Sequence, residues 1–390
     1  MKRAFLSLLL SGVPLFVLPN RASSKDIYIG QTALGSGNGK DAADAFSVAW
    51  FNTSGNWGAA ASQISPGHTV HLCGTITSQL TVQASGTSGN PTTILFEPDA
   101  NITMPYLPTT GAINLGTRNF LTIDGGQNGL IQATANGVTN ANQVISSAIW
   151  GSGNANVTVQ NVTMTNLFMR TSGDSETASS RPGVTGVFFP NNLSNIVVRN
   201  CKISWAGTPI MVQYTAAYNI QIYSNVVQWC NWGIAVGQGN VSNFVSGLTI
   251  HDNRVSGFSP WDDPADKNHH DGIFPWATLA GCAITNVTIY NNIIGPNFGT
   301  LGHCTAALYL SGAAGTFSNV LIYNNVMFGT NGAPSEGLMM LSGIQACGVY
   351  NNTIDGGSAS GNFVGIHVSA GTNVIVMDNV ISLTFRSQNV

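Results

Sequence analysis

The sequence predicts an all-β fold, a solenoid of about ten stacked coils. Three observations carry it: a composition rich in glycine and poor in charge, one strand motif repeated along the chain, and copies of that motif set a coil apart. Of 390 residues only 7% are charged, while 43% are hydrophobic and 45 are glycine. So little lysine and glutamate leaves scant material for amphipathic helices, and the β-branched and small turn-forming residues favour many short strands. A net charge of -3 offers no basic stripe, so nucleic acid is not an expected partner.

The repeat is Asn-Val-x-Ile-x-x-Asn. It occurs at Asn219 to Asn225, Asn286 to Asn292, Asn319 to Asn325 and Asn373 to Asn379, with looser copies at Gly247 to Asn253 and Ala346 to Asn352. Residues 156 to 161 and 195 to 200 hold a version one residue shorter. The last position falls at Asn225, Asn253, Asn292, Asn325, Asn352 and Asn379, at intervals of 28, 39, 33, 27 and 27. Val-x-Ile has period two, so each copy reads as a strand with one buried face. A second strand opens on glycine in most units, as in Gly186-Val187-Phe188, Gly233-Ile234-Ala235 and Gly272-Ile273-Phe274. No coil can bury its apolar face alone, so stacking has to supply the core. The terminal asparagines are expected to take left-handed dihedrals at the bends and to hydrogen-bond from coil to coil as a ladder.

Residues 1–24 carry Lys2 and Arg3, then an apolar run from Ala4 to Leu18, then small residues. That is the pattern of a removable secretory signal, which places the mature chain outside the cytoplasm with no membrane span. The expected organisation is this signal, an entry and cap with the first coils over 25–90, and the β-helix over 91–390, acting as a monomer. Ala42 to Asn52 is the one expected helix, covering the open end of the first coil. The six cysteines lack metal-site spacing and read mainly as small buried residues, with room for a disulfide.

Residues 26–98 hold Asp26-Ile27-Tyr28-Ile29, then Gly35-Ser36-Gly37-Asn38-Gly39, then Pro66-Gly67-His68-Thr69-Val70-His71-Leu72, and then Ser85 to Pro91. This series resembles the entry segment of polysaccharide-active β-helices, and nearly the whole mature chain is similar to the pectate-lyase-like right-handed parallel β-helix proteins. The resemblance implies that fold and an extracellular polysaccharide as partner. Asp271-Gly272-Ile273 is reminiscent of the strand start in polygalacturonases, but their paired Asp, Gly-His-Gly and Arg-x-Lys elements are absent here.

Coil length points to the site. Coils of 39 residues run from Asn161 to Asn200 and from Asp252 to Asn291, each with its extra residues before the glycine-led strand. Two short coils separate them, so the insertions should leave one flank about 14 Å apart. Trp205, Trp229 and Trp232 fall on the floor between, Trp261 and Trp276 bracket the second insertion, and all five can stack on sugar rings or simply pack. On the first insertion Arg181, with Arg170, Asp174 and Glu176 beside it, can face an acidic sugar. Residues 252–271 concentrate seven charged side chains in a chain that otherwise avoids them. Asp262, Asp263 and Asp266 are hard ligands for a cation such as calcium (Ca2+), Lys267, His269 and His270 are candidate bases, and Asp271 starts a rigid strand.

Two reactions suit this set. In elimination from a uronate polymer, a cation offsets the substrate carboxylate while Lys267 or a histidine removes the adjacent proton. In hydrolysis, Asp271 pairs with Asp263 or Asp266 across the glycosidic bond. The scarcity of lysine in the coils, Lys202 and Lys267 alone, favours elimination. A non-catalytic glycan-binding or structural solenoid is the third reading.

Overall fold

The computed structural model describes residues 24–135, 145–168, 184–238, 243–259, 270–299, 304–329, 338–356 and 364–382. They form a parallel β-helix in which every strand pairing between windings runs parallel. Each winding contributes a strand to three faces in turn. The first face includes Ser146–Gly151, Val184–Pro190, Thr208–Tyr214, Trp232–Gln238, His270–Trp276 and Cys304–Ser311. The second includes Ala155–Gln160, Leu193–Arg199, Ala216–Tyr223, Phe244–His251 and Ala283–Tyr290. The third is an 11-stranded sheet from Thr75–Ile76 to Val380–Ser382.

The repeated motif is the second-face strand, and its Val-x-Ile positions point inward. Ile220 and Ile222, Leu248 and Ile250, and Val287 and Ile289 stack in register and are buried in one continuous core. Stacking removes this apolar surface from water, which drives the fold.

The asparagine ladder is present. Asn225, Asn253, Asn292, Asn325 and Asn352 each pass a side-chain hydrogen bond of 2.9 Å to the asparagine one winding on, ending at Asn379. The left-handed dihedrals, however, belong to the preceding residue, as at Ser224, Asp252, Asn291, Asn324, Asn351 and Asp378, where φ lies between 53° and 57°. That residue turns the corner, which swings the following asparagine inward beneath the bend, where it is 0 to 1% exposed from Asn225 to Asn352. The first asparagine of the motif is left-handed too, and it builds an exposed ladder through Asn156, Asn195 and Asn219.

The expected helix is largely replaced. A 3-10 turn covers Ala42–Asp44 and the α-helix is only Val48–Phe51. Asp41 and Ser47 each cap a new start with their side chains, and Phe46–Ser47 pairs with Ile29–Gly30 in between, so the segment cannot run as one helix. Val48 and Phe51 still join the core. Asn52 donates to the Gln79 carbonyl (2.8 Å) and accepts from the Thr81 N–H (2.7 Å), satisfying the edge of the first-face strand Leu80–Thr81.

All six cysteines are buried, and none forms a disulfide. Burial pushes the Cys73 thiol up to about 11 and those of Cys201 and Cys347 up to about 12. Among the described residues no helix is long and apolar enough to cross a membrane.

Candidate functional site

The glycine that opens several first-face strands marks the corner where the third face meets the first. A Cβ on Gly186, Gly233 or Gly272 would strike Ile203, Val255 or Ile294 of the third face. Only glycine lets the two sheets approach so closely there. Beyond it the side chains alternate. Val187, Ile210, Ile234 and Ile273 are buried in one register column, and the next residues, Phe188, Met211, Ala235 and Phe274, form the adjacent outward column.

Phe168 and Ser259 each follow a third-face strand, and Val184 and His270 each begin a first-face strand, so the described ends of the two long windings share one corner. The strands they lead into, Val184–Pro190 and His270–Trp276, are separated by two others, Thr208–Tyr214 and Trp232–Gln238. Three strand steps make a separation of about 14 Å.

The outward column is aromatic over much of its length. Trp150 pairs with Phe188 and Phe188 with Met211. Past Ala235, Phe274 stacks on Tyr309 with centroids 5.3 Å apart. Trp232 and Trp276 flank Phe274, with Trp232 5.4 Å from Phe274 and 6.0 Å from Trp276, at angles of 59° and 48°. Trp150, Phe188, Met211, Trp232, Trp276 and Tyr309 are part-exposed. Of these side chains the sequence singled out Trp232 and Trp276, and not Trp150, Phe188, Met211, Phe274 or Tyr309. The available signal was the position two after glycine in Gly186-Val187-Phe188 and Gly272-Ile273-Phe274, which falls in the column next to the buried Val187 and Ile273.

Trp205 and Trp229 do stack in adjacent windings, centroids 5.7 Å apart at 22°. They sit at left-handed corners of the third face, φ 55° and 56°, and Trp229 also covers Gly257. One indole face of each is therefore turned to the other.

His270 and Asp271 are both 0% exposed. The His270 ring nitrogen Nδ1 is hydrogen-bonded to the Asn231 side-chain oxygen, and Asp271 accepts the Ala306 N–H at 3.1 Å. Asp271 lies beside Trp232 in the register. Both residues thus tie the start of their strand to the windings on either side. Lys267, His269, Trp261, Asp262, Asp263, Asp266 and Arg181 lie outside the described residues. Among the described residues no group of three or more His, Cys, Asp or Glu side chains can hold a metal ion.

The second face differs in kind. Arg199 donates to the Tyr223 hydroxyl (2.9 Å), and Tyr223, His251, Tyr290 and Tyr323 stack at 4.6 to 5.0 Å with angles of 2 to 5°. Rings so aligned cover one another's faces, which stabilises the sheet and leaves little flat surface for a ligand. The first-face rings are less regular, with Phe274 stacked on Trp276 and Tyr309 at 20° and 25° and Trp232 tilted against Phe274 and Trp276, and among the described residues its strands hold a single carboxylate, Asp271, and no lysine or arginine.

No family model matches this chain, and no curated protein sequence does. Among solved structures it is similar to a GH136 lacto-N-biosidase from Eubacterium ramulus, with 13% identity and a TM-score of 0.56 over 92% of this chain and 68% of that one. It is also similar to the pectate lyase Pel9A, with 13% identity and a TM-score of 0.50 over 92% of this chain and 80% of that one. Likeness at this identity shows the fold: the chain is a right-handed parallel β-helix of the architecture found in polysaccharide lyases and glycoside hydrolases.

Proposed function

We propose that this chain is an exported glycan-cleaving β-helix protein that lays a polysaccharide along its first face and hydrolyses it. The observation that carries the reading is the aromatic platform of part-exposed Trp232, Trp276 and Tyr309 packed around the buried Phe274 on the first face. A sugar ring has an apolar C–H face that an indole or phenol ring can cover. Hydrolysis needs two carboxyls on opposite sides of the glycosidic bond. The carboxylates that the sequence offers for this are Asp174 and Glu176 in the first insertion and Asp262, Asp263 and Asp266 in the second. In this reading His270 and Asp271 are positioning residues that fasten the insertion before them, as their burial and hydrogen bonds suggest. The leader at 1–24 would direct export.

Elimination from a uronate polymer is the second reading. It is favoured by one feature, the crowding of Lys267, His269 and the three aspartates, with calcium as their cation, into a single short segment.

Incubation of the purified protein with neutral and acidic polysaccharides, with and without chelator, tests both. New reducing ends without unsaturated-uronate absorbance, lost in Asp263→Asn or Asp266→Asn, is the expected result. Chelator-sensitive uronate absorbance lost in Lys267→Ala selects elimination. Binding without either product would make the chain a non-catalytic glycan-binding protein.

A further inference from the structure

A second cleft opens on the first face, on the N-terminal side of the platform. It has a volume of about 340 Å³, with Trp150, Phe188 and Met211 as its apolar floor and Ser147, Thr185 and Gln213 among its polar margins. The floor residues are register neighbours on three consecutive strands. Ser147 and Thr185 share a hydroxyl hydrogen bond of 2.7 Å. A flat apolar floor bordered by hydroxyls and an amide matches a pyranose, whose ring face is apolar and whose rim is hydroxylated.

We infer that this cleft is a distal subsite for a neutral sugar residue of the same glycan, an assignment that rests on the proposed function. Neutrality follows from the lining, none of which is charged. A uronate carboxylate seated there would lose hydration with no cation among the described lining residues to replace it, which is unfavourable. Distance makes the subsite distal: Trp150, Phe188, Met211, Ala235 and Phe274 follow one another in register, and four strand steps span about 19 Å. A mono- or disaccharide cannot span from Trp150 to Phe274, whereas a longer chain can.

Affinity electrophoresis of the full chain through gels containing galactomannan, xyloglucan, polygalacturonate or alginate tests this, using Trp150→Ala, Trp150→Phe, Gln213→Ala and, as a second-face control, Thr249→Val. Retardation by a neutral polysaccharide is expected, weakened roughly tenfold by Trp150→Ala. Trp150→Phe should keep most of it, Gln213→Ala should lose part, and Thr249→Val should match the parent. Circular dichroism melts establish that each variant is folded, with Gln213→Ala carrying the test if Trp150→Ala is not. Neutral retardation indifferent to Trp150→Ala and Gln213→Ala overturns the subsite. Retardation by the acidic polymers alone overturns its neutrality while leaving glycan recognition standing. No retardation in any gel removes the proposed function and the subsite together.

Discussion

Asn292→Ala probes the internal ladder at its most enclosed point. The side chain is 0% exposed. Its oxygen accepts from Asn253 twice, from the backbone N–H at 3.1 Å and the side-chain amide at 2.9 Å. Its amide nitrogen donates to Asn325 (2.9 Å) and to the carbonyls of Ile250 and Tyr290 (both 3.0 Å). An amide has two hydrogens for those three acceptors, so two of the contacts share one. Counting about four bonds at about 1 kcal/mol net each, the substitution should cost about 4 kcal/mol. Asn379→Ala, on the part-exposed last rung, should cost about 1–2 kcal/mol because water can replace the lost partners. Urea unfolding followed by circular dichroism reads both, as a lower midpoint at unchanged slope. An Asn292→Ala loss below about 1 kcal/mol, or one no larger than that of Asn379→Ala, would refute the view that enclosed rungs hold the windings in register.

Three further outcomes are expected. In Gly237→Ala the new methyl would occupy the space of the Trp276 indole, so the ring must swing away; tryptophan emission should shift and glycan retention should fall while the fold persists. Asn231→Ala removes the partner of His270 and should lower stability by about 1–2 kcal/mol, with loss of turnover exceeding loss of glycan binding if His270 positions the insertion before it. The pH dependence follows from the buried thiols. Above the ordinary value of 9.0 the unfolded chain releases thiol protons that Cys73, Cys201 and Cys347 retain in the fold up to about 11 to 12. Deprotonation therefore favours the unfolded state, and their contribution is full below pH 9 and lost progressively toward pH 11 to 12. Melting temperatures at pH 8, 9.5 and 10.5 would show it, and the native thiols should resist a disulfide reagent at pH 8 until the chain is unfolded.

Much of the scaffold was legible because a solenoid writes its register into the sequence. The intervals between Asn225, Asn253 and Asn292 gave the windings, and the glycine-led strands Val184–Pro190 and His270–Trp276 follow the two long insertions as the spacing implied. The stacking of Trp205 on Trp229 followed from their equal offset from Asn200 and Ser224. The site was less legible. Trp150, Phe188, Met211 and Phe274 belong to strands whose sequence spacing varies from 23 to 39 residues, and no local motif links Ser-Ala-Ile-Trp to Pro-Ile-Met. The polar residues His270 and Asp271 looked like surface chemistry beside a charged segment, yet they are enclosed and bonded to Asn231 and Ala306.

By itself the sequence determined that the chain winds, how long each winding is, which alternate residues fill the core and where the insertions leave, since these depend on periodicity and glycine placement along one strand. Tertiary structure decided which residue turns each corner, which aromatic rings cover one another and which stay available, and that the first face carries a platform almost free of charge. Those properties arise between windings, where residues distant in number become neighbours about 4.8 Å apart.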